Sequence, residues 1–381
     1  MNIGIDIRPL MNQIKTGVGE YTYEMVDALL KNDRLNQYFL FYNSRKDITK
    51  YIPHWQKENV THVYTKYPNK IFNCCQKILG WPKIDKLIIK KVKKINKLDV
   101  FFSTNLNFTS LSKKTKHVLT IHDISFELYK KFYSKKQYLW HKIINPKKQC
   151  KKADIIIVPS NNTKNDLINH YKIAQEKIQV IYPGIRQDCD ILSTKNKDRI
   201  IKKYNLPRRY ILFLGTIEPR KNIITLIEAF EDAYSKMDND YHLIIAGAPG
   251  WKNKAIYEKA KNSGYTSKIK FIGYIDEQDK NVVYSLASIF IYPSIYEGFG
   301  FPVLEAMRCS VPVITSNRSS LPEICQKAAL LVNPNKPKEI SNGIIQILKN
   351  EQLKNWLIEK GKIQSAQFNW ENSAQKLLEI L

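Results

Sequence analysis

Short apolar runs recur along the chain, with stretches of helically spaced apolar residues between most of them. In the first half the runs are IGIDI (3–7), YFLFYN (38–43), DVFFS (99–103), HVLTIHD (117–123), DIIIVPS (154–160) and IQVIYPG (178–184). In the second half they are YILFLGT (210–216), HLIIAGA (242–248), IKFIGYI (269–275), SIFIYPS (288–294), VPVITSN (311–317) and ALLVNP (329–334). Several are apolar throughout instead of alternating, which predicts strands covered on both faces. Strand, helix and strand in repetition predict parallel sheets joined by right-handed crossovers.

Between the halves, RQDCDILSTKNKDRIIKKYNLPRR (186–209) is polar, charged and short of apolar periodicity. It reads as a linker over residues 191–207, with a short helix near 196–204. The predicted class is α/β, with two Rossmann-like doubly wound domains at residues 1–190 and 208–365. In such pairs ligands are expected beyond the carboxyl ends of the strands, in the cleft between the domains. Residues 366–381 include WENSAQKLLEI, read as a short amphipathic helix anchored by Trp370 and packing back toward the N-terminal domain.

Composition sharpens this picture. The chain has 381 residues, 43% of them hydrophobic, enough for two cored domains. No apolar run reaches the length of a membrane-spanning helix. MNIGIDIRPLM reads as a first strand and not as a signal peptide, so a cytoplasmic protein is expected. The six cysteines lack metal-type spacing and read as free thiols. The net charge is +26, and residues 66–152 hold 22 lysines against four acids. Such a face suits an anionic partner. Lysine outnumbers arginine 51 to 10, and no nucleic-acid-binding motif is present, which argues against a nucleic acid.

Four stretches carry candidate chemistry. In SIYEGFGFPVLEAM (294–307), a strand runs through a glycine-rich bend into a helix with Pro302 in its first turn. Gly298 and Gly300 lie in that bend, which points backbone N–H groups and a positive helix end at a ligand and so suits phosphate. Glu305 is expected in the first helical turn, where a carboxylate can accept two hydrogen bonds from a vicinal diol such as a ribose. Glu297 precedes the bend and would face what lies beyond the phosphates. An isolated pair of acids at this spacing is more often a cap and a solvated charge; the glycines, the proline and the strand context favour the functional reading.

GTIEPRKNIITLIEAF (215–230) ends a strand at Gly215 and opens a helix at Asn222, with Arg220 and Lys221 just before it. Two cations beside a helix N-terminus can clamp a diphosphate, although a solvated charge pair is commoner on surfaces. TGVGEYTYEM (16–25) is a glycine loop whose Gly17 and Gly19 would let backbone approach a phosphate. TIHDIS (120–125) places His122 and Asp123 just past a strand, where a lone histidine is more often structural. There is no Walker A loop, and the metal-like DCD (188–190) and DND (238–240) lie in the linker and in a polar loop. Charge on a leaving diphosphate would then be met by Arg220, Lys221 and helix ends without a metal.

On these residues the chain resembles the retaining, nucleotide-sugar-dependent GT-B glycosyltransferases of family four. YILFLGTIEPRKN and PSIYEGFGFPVLEAMRCSVPVITSNRSSLPEI carry the most specific likeness, toward the mannosyltransferase branch of bacterial polysaccharide synthesis. TGVGEYT and TIHDISF match that branch too. The resemblance implies catalytic roles for His122, Glu297, Arg220 and Lys221, and no metal or other cofactor. It implies donor contacts from Gly17, Gly19, Gly215, Thr216, Tyr274, Gly298, Phe299, Gly300, Phe301, Val303 and Glu305. Thr216 departs from many relatives, which carry Arg there; Arg220 is the expected substitute.

The implied reaction moves a hexose, with mannose from GDP-mannose favoured, onto a glycan or lipid-linked saccharide with retention. A UDP-sugar-dependent transferase is the alternative. A nucleotide-sugar epimerase and a basic nucleic-acid-binding protein are more distant ones. A Lys-rich face within residues 66–152 is expected to dock peripherally on anionic membrane, with a merely solvated basic face as the competing reading.

Overall fold

The apolar runs form two parallel sheets. The computed structural model describes residues 1–11, 17–187, 194–237 and 240–381. The chain divides into two compact units, the first Met1–Ile124, Lys136–Gly184 and Trp370–Leu381, the second Ser125–Lys135 and Ile185–Asn369.

The first unit holds seven strands: β1 (Asn2–Asp6), β2 (Gln37–Asn43), β3 (Val60–Thr65), β4 (Val100–Ser103), β5 (Lys116–Thr120), β6 (Ile155–Val158) and β7 (Ile178–Val180). Their order is β3-β2-β1-β4-β5-β6-β7, all parallel. Gly4 of β1 stands opposite Phe39 of β2 on one side and Phe101 of β4 on the other. The central strands are buried on both faces, as Ile3, Ile5, Leu40, Phe41, Phe101 and Phe102 show. β3 is absent from the apolar runs of the sequence. Its alternating burial belongs to an edge strand, and VTHVYT has only the β-branched alternation that such a strand needs. β5 ends at Thr120, earlier than the apolar run suggested, so Ile121–Asp123 lie beyond the strand.

The helix Gly17–Asn32 packs against the last helix, Trp370–Ile380. Trp370 meets Tyr21 edge-on at 5.8 Å, Lys116 Nζ donates to the Ile380 carbonyl at 2.6 Å, and Ser373 Oγ donates to the Tyr182 carbonyl at 2.6 Å.

The second unit holds six strands: β8 (Tyr210–Leu214), β9 (His242–Ala246), β10 (Ile269–Gly273), β11 (Ile289–Tyr292), β12 (Val313–Ser316) and β13 (Leu330–Val332). Their order is β10-β9-β8-β11-β12-β13, again parallel. The predicted linker needs correction. Its helix, Thr194–Tyr204, is part of this unit. The carboxylate of Asp279 is buried and draws in Arg199 (3.0 Å), Lys203 (2.6 Å) and the Tyr204 hydroxyl (2.9 Å), while Ile200 is buried. A buried charge needs such partners; the helix expected near 196–204 is present, and only its docking was hidden by the polar sequence.

Each sheet reverses strand order once, between β1 and β4 and between β8 and β11. These switch points are where open α/β sheets open a crevice at the carboxyl ends.

Candidate active site

In the second unit, the switch point lies beyond β8 and β11. The chain leaving β8 is held against the loop after β9: the Gly215 N–H donates to the Ala246 carbonyl and Ile217 N–H to the Ala248 carbonyl, both at 3.0 Å. Gly247 has φ 136°, and a Cβ there would stand 1.9 Å from the Gly215 carbonyl oxygen. Only glycine lets these backbones meet. Pro219–Lys221 then form one tight turn, and Asn222, at φ 60°, opens the helix Ile223–Tyr234. Asn222 holds the N-cap position, but its side chain accepts from the Thr225 hydroxyl and donates to the Pro334 carbonyl.

The turn brings Arg220 and Lys221 onto Glu297, which follows β11. Arg220 Nη1 donates to Glu297 Oε2 at 2.9 Å and Lys221 Nζ to Oε1 at 2.6 Å. Ser294 Oγ donates to the same Oε1 at 2.6 Å. Arg220 is also gripped by Glu218, through Nε at 3.1 Å and Nη2 at 2.7 Å, and by the Tyr296 carbonyl at 2.7 Å. The backbone joins in, with the Ile295 N–H donating to the Arg220 carbonyl at 2.9 Å. Two loops distant in sequence are thus knitted into one ionic cluster. Burial disfavours a charged Glu297, but Arg220 and then Lys221 outweigh it and hold the carboxyl down at about 2. Burial, and then the neighbouring Arg220 charge, push the Lys221 ammonium below its usual range. Two of the three Lys221 donors are used, by Glu297 and by the Tyr292 hydroxyl.

The helix after the bend runs Phe301–Arg308, with Pro302 in its first turn and Gly300 at φ 122° before it. Glu305 is therefore the fifth helical residue, not a first-turn one as expected, because the helix starts at Phe301. It is half-buried, and its Oε2 accepts from the Tyr284 hydroxyl at 2.9 Å. The Val303 N–H already donates to the Gly300 carbonyl at 3.1 Å, and Pro302 has none, so this helix end offers fewer amides than its sequence suggested. Phe299 and Phe301 meet edge-on at 5.0 Å. The Ser320 hydroxyl fastens the bend through the Glu297 and Phe299 carbonyls, at 3.0 and 2.7 Å, with Gly298 between them. Gly215 and Thr216 follow β8, and the exposed Tyr274 follows β10.

The first unit has its own constellation at the β1/β4 switch point. His122 Nε2 lies 3.0 Å from the Thr104 carbonyl. A carbonyl only accepts, so Nε2 carries the proton and Nδ1 does not. Desolvation pushes the imidazole down to about 4, against the pull of the Thr104 carbonyl and Asp123, so His122 is neutral at pH 7. Tyr21 packs edge-on against it at 4.7 Å. Gly17 and Gly19 are not in a loop but in the first turn of the helix Gly17–Asn32, and the residues before them fall outside the described ones. Thr22 of that helix donates to Thr104 Oγ1 at 3.0 Å, which donates to the Asp6 carbonyl at 2.9 Å.

Sequence reasoning passed over several residues here. Asp6, the last residue of β1, and Arg8 just past it form a buried bidentate pair, with Nε–Oδ1 at 2.8 Å. Glu218, Ser294 and Tyr292 support the ionic cluster. The signal was present in IDIRP and TIEPRKN, where charges interrupt the ends of apolar strands. A hollow of about 410 Å³ in the first unit is lined by Met11, Ser44, Arg45, Lys46, Ile48, Pro68 and Asn69. DCD (188–190) and the first two residues of DND (238–240) lie outside the described residues.

Two parallel doubly wound units, each with charged residues at its switch point, give the architecture, and comparison with known proteins supplies the family. Residues 15–188 match the family described as Glycosyltransferase Family 4 and residues 194–364 the family described as Glycosyl transferases group 1, so the chain belongs to the GT-B glycosyltransferases built from these two domains. It is 27% identical over 368 residues to the O-antigen chain mannosyltransferase B of Escherichia coli, covering 94% of this chain and 93% of that protein. It is 30% identical over 268 residues to the serotype-specific mannosyltransferase WbdA of Escherichia coli, covering 69% of this chain and 33% of that longer protein. Among solved structures, sucrose-phosphate synthase from Thermosynechococcus elongatus superposes with a TM-score of 0.74 at 19% identity, covering 100% of this chain and 98% of that one. Anabaena HepE, in complex with UDP and glucose, superposes with a TM-score of 0.71 at 17% identity, covering 100% and 99%. At such identities these structures speak to the fold.

Proposed function

We propose that this glycosyltransferase moves mannose from GDP-mannose, with retention, onto a lipid-linked saccharide in the building of a cell-surface polysaccharide. The observation that carries the reading is the Arg220–Lys221–Glu297 cluster at the β8/β11 switch point, in a chain whose full-length relative in Escherichia coli is named a mannosyltransferase. The cluster is pre-organised, since its cations are held in place before any ligand arrives. An incoming diphosphate can share them with Glu297 and Glu218.

As the sugar C1–O bond to the diphosphate stretches, negative charge grows on the leaving oxygen and Arg220 and Lys221 stabilise it. The acceptor hydroxyl attacks C1 from the face the diphosphate leaves. Its oxygen bonds to C1, and its proton passes to the departing phosphate oxygen. In this reading Glu297 orients sugar hydroxyls, Glu305 uses its remaining lone pairs on the ribose diol, and Tyr274 lies against the base. Neutral His122 contacts the transferring sugar through a hydrogen bond. Charge stabilisation comes from the cations and not from a metal.

Calorimetric titration with GDP, UDP, GDP-mannose and UDP-glucose, with EDTA present, tests this. Selective GDP binding is expected, and Glu305→Ala should weaken it by about a hundredfold, the loss of two charge-assisted hydrogen bonds. An inverted product anomer would refute retention. The structural likeness to a UDP-binding protein keeps one second reading, a UDP-sugar donor, and selective UDP binding would establish it.

A further inference from the structure

The helix Asn69–Ile78 wears its apolar residues on the wrong side for a soluble surface. Its inward face is fixed: Phe72 is buried among Phe41, Ile84, Ile88 and Phe101, and Gln76 bonds the Pro82 carbonyl. At 3.6 residues per turn, Ile71, Cys74 and Ile78 then share the outward face, with Lys70 and Lys77 along one side. Ile71, Ile78, Leu79 and Trp81 are each 61 to 70% exposed. Isolated exposed apolar residues are ordinary; four large ones within eleven positions are not.

The surrounding charge is of one sign. Residues 66–97 contain ten lysines, no arginine and a single acid, Asp85. Asp85 is buried and accepts from the Ser112 N–H and hydroxyl at 2.9 and 2.6 Å, so it neutralises none of them at the surface. Protein interfaces are depleted in lysine, and base or phosphate readers favour arginine. Lysines around exposed Trp, Ile and Leu instead match the boundary of an anionic bilayer, where apolar side chains enter the acyl edge and lysine stems extend to the headgroups.

We propose that the outward face of Asn69–Ile78 and the Leu79–Trp81 turn insert into the headgroup boundary of an anionic membrane. The inference rests on the reading of the acceptor as lipid-linked. The same helix starts at the hollow lined in part by Arg45, Lys46, Pro68 and Asn69.

Co-sedimentation of the full chain with vesicles tests it, using phosphatidylcholine alone and phosphatidylcholine part-replaced by phosphatidylglycerol. Binding is expected only with phosphatidylglycerol. The triple variant Ile78→Ser, Leu79→Ser, Trp81→Ser, which keeps every charge, should bind such vesicles about tenfold more weakly while its melting temperature and GDP affinity stay unchanged. Wild-type protein that ignores the anionic lipid, or fails to bind, would overturn the proposal. So would a triple variant that sediments like wild type, since lysines alone would then suffice, or duplex DNA binding that falls in the triple variant. GDP titration of the wild type separates the two readings: vesicle docking without GDP binding would end the donor assignment and leave this one standing.

Discussion

Glu297 is an acid made useful by its neighbours. An isolated buried carboxylate would rise in pKa; here two cations and a serine hydroxyl keep it ionised. Since its folded pKa of about 2 lies below its ordinary 4.5, its contribution to stability is complete above 4.5 and is lost as pH falls toward 2. Urea titrations should therefore show wild type losing stability between pH 5 and 2 by more than Glu297→Gln does. At pH 7 the variant should be the less stable protein and have lost most of its transfer activity, because Arg220 and Lys221 lose the anion that fixes them. Equal slopes in the two proteins would show that Glu297 is not the titrating group.

Loops built on glycine set the positions of these charges. Gly247 is the sharpest case, because the atom that a Cβ would strike is backbone and cannot move aside as a side chain can. Gly247→Ala should cost about 2–4 kcal/mol from overpacking and strain, and should displace the Gly215–Lys221 segment enough to lower nucleotide affinity. Chemical denaturation and a GDP titration would measure the two effects; a variant as stable as wild type would mean that the two loops can part freely. Element boundaries were the less legible part of the sequence. The strands buried on both faces announced themselves as apolar runs, whereas β3, half exposed at the sheet edge, did not. Glu305 was displaced by one turn's position because the helix begins at Phe301, a boundary set by Gly300 in its positive-φ conformation.

For the whole molecule, ligand linkage gives the clearest readout. A nucleotide that binds only the folded protein adds about 2.7 kcal/mol at a hundredfold its Kd. GDP should raise the melting temperature accordingly, EDTA should not reverse the gain, and UDP at the same concentration should do little. A rise with UDP alone would move the donor assignment, and a rise abolished by EDTA would overturn metal independence. Among the described residues no helix is long and apolar enough to cross a membrane.

The sequence by itself determined the two-sheet α/β class and the strand-loop-helix setting of Arg220, Lys221, Glu297 and Glu305. Apolar runs, glycines and prolines act over a few residues, and that range is enough to place a charge beyond a strand. Tertiary structure decided the rest: that Glu297 pairs with both cations, that Glu218 grips Arg220, that the polar 194–204 segment is a docked helix around Asp279, and that Asn69–Ile78 turns its apolar stripe outward. Apart from the Glu218–Arg220 grip, which is local, each depends on which residues distant in sequence meet at a strand-order reversal or on a buried face, and local pattern carries no record of that pairing.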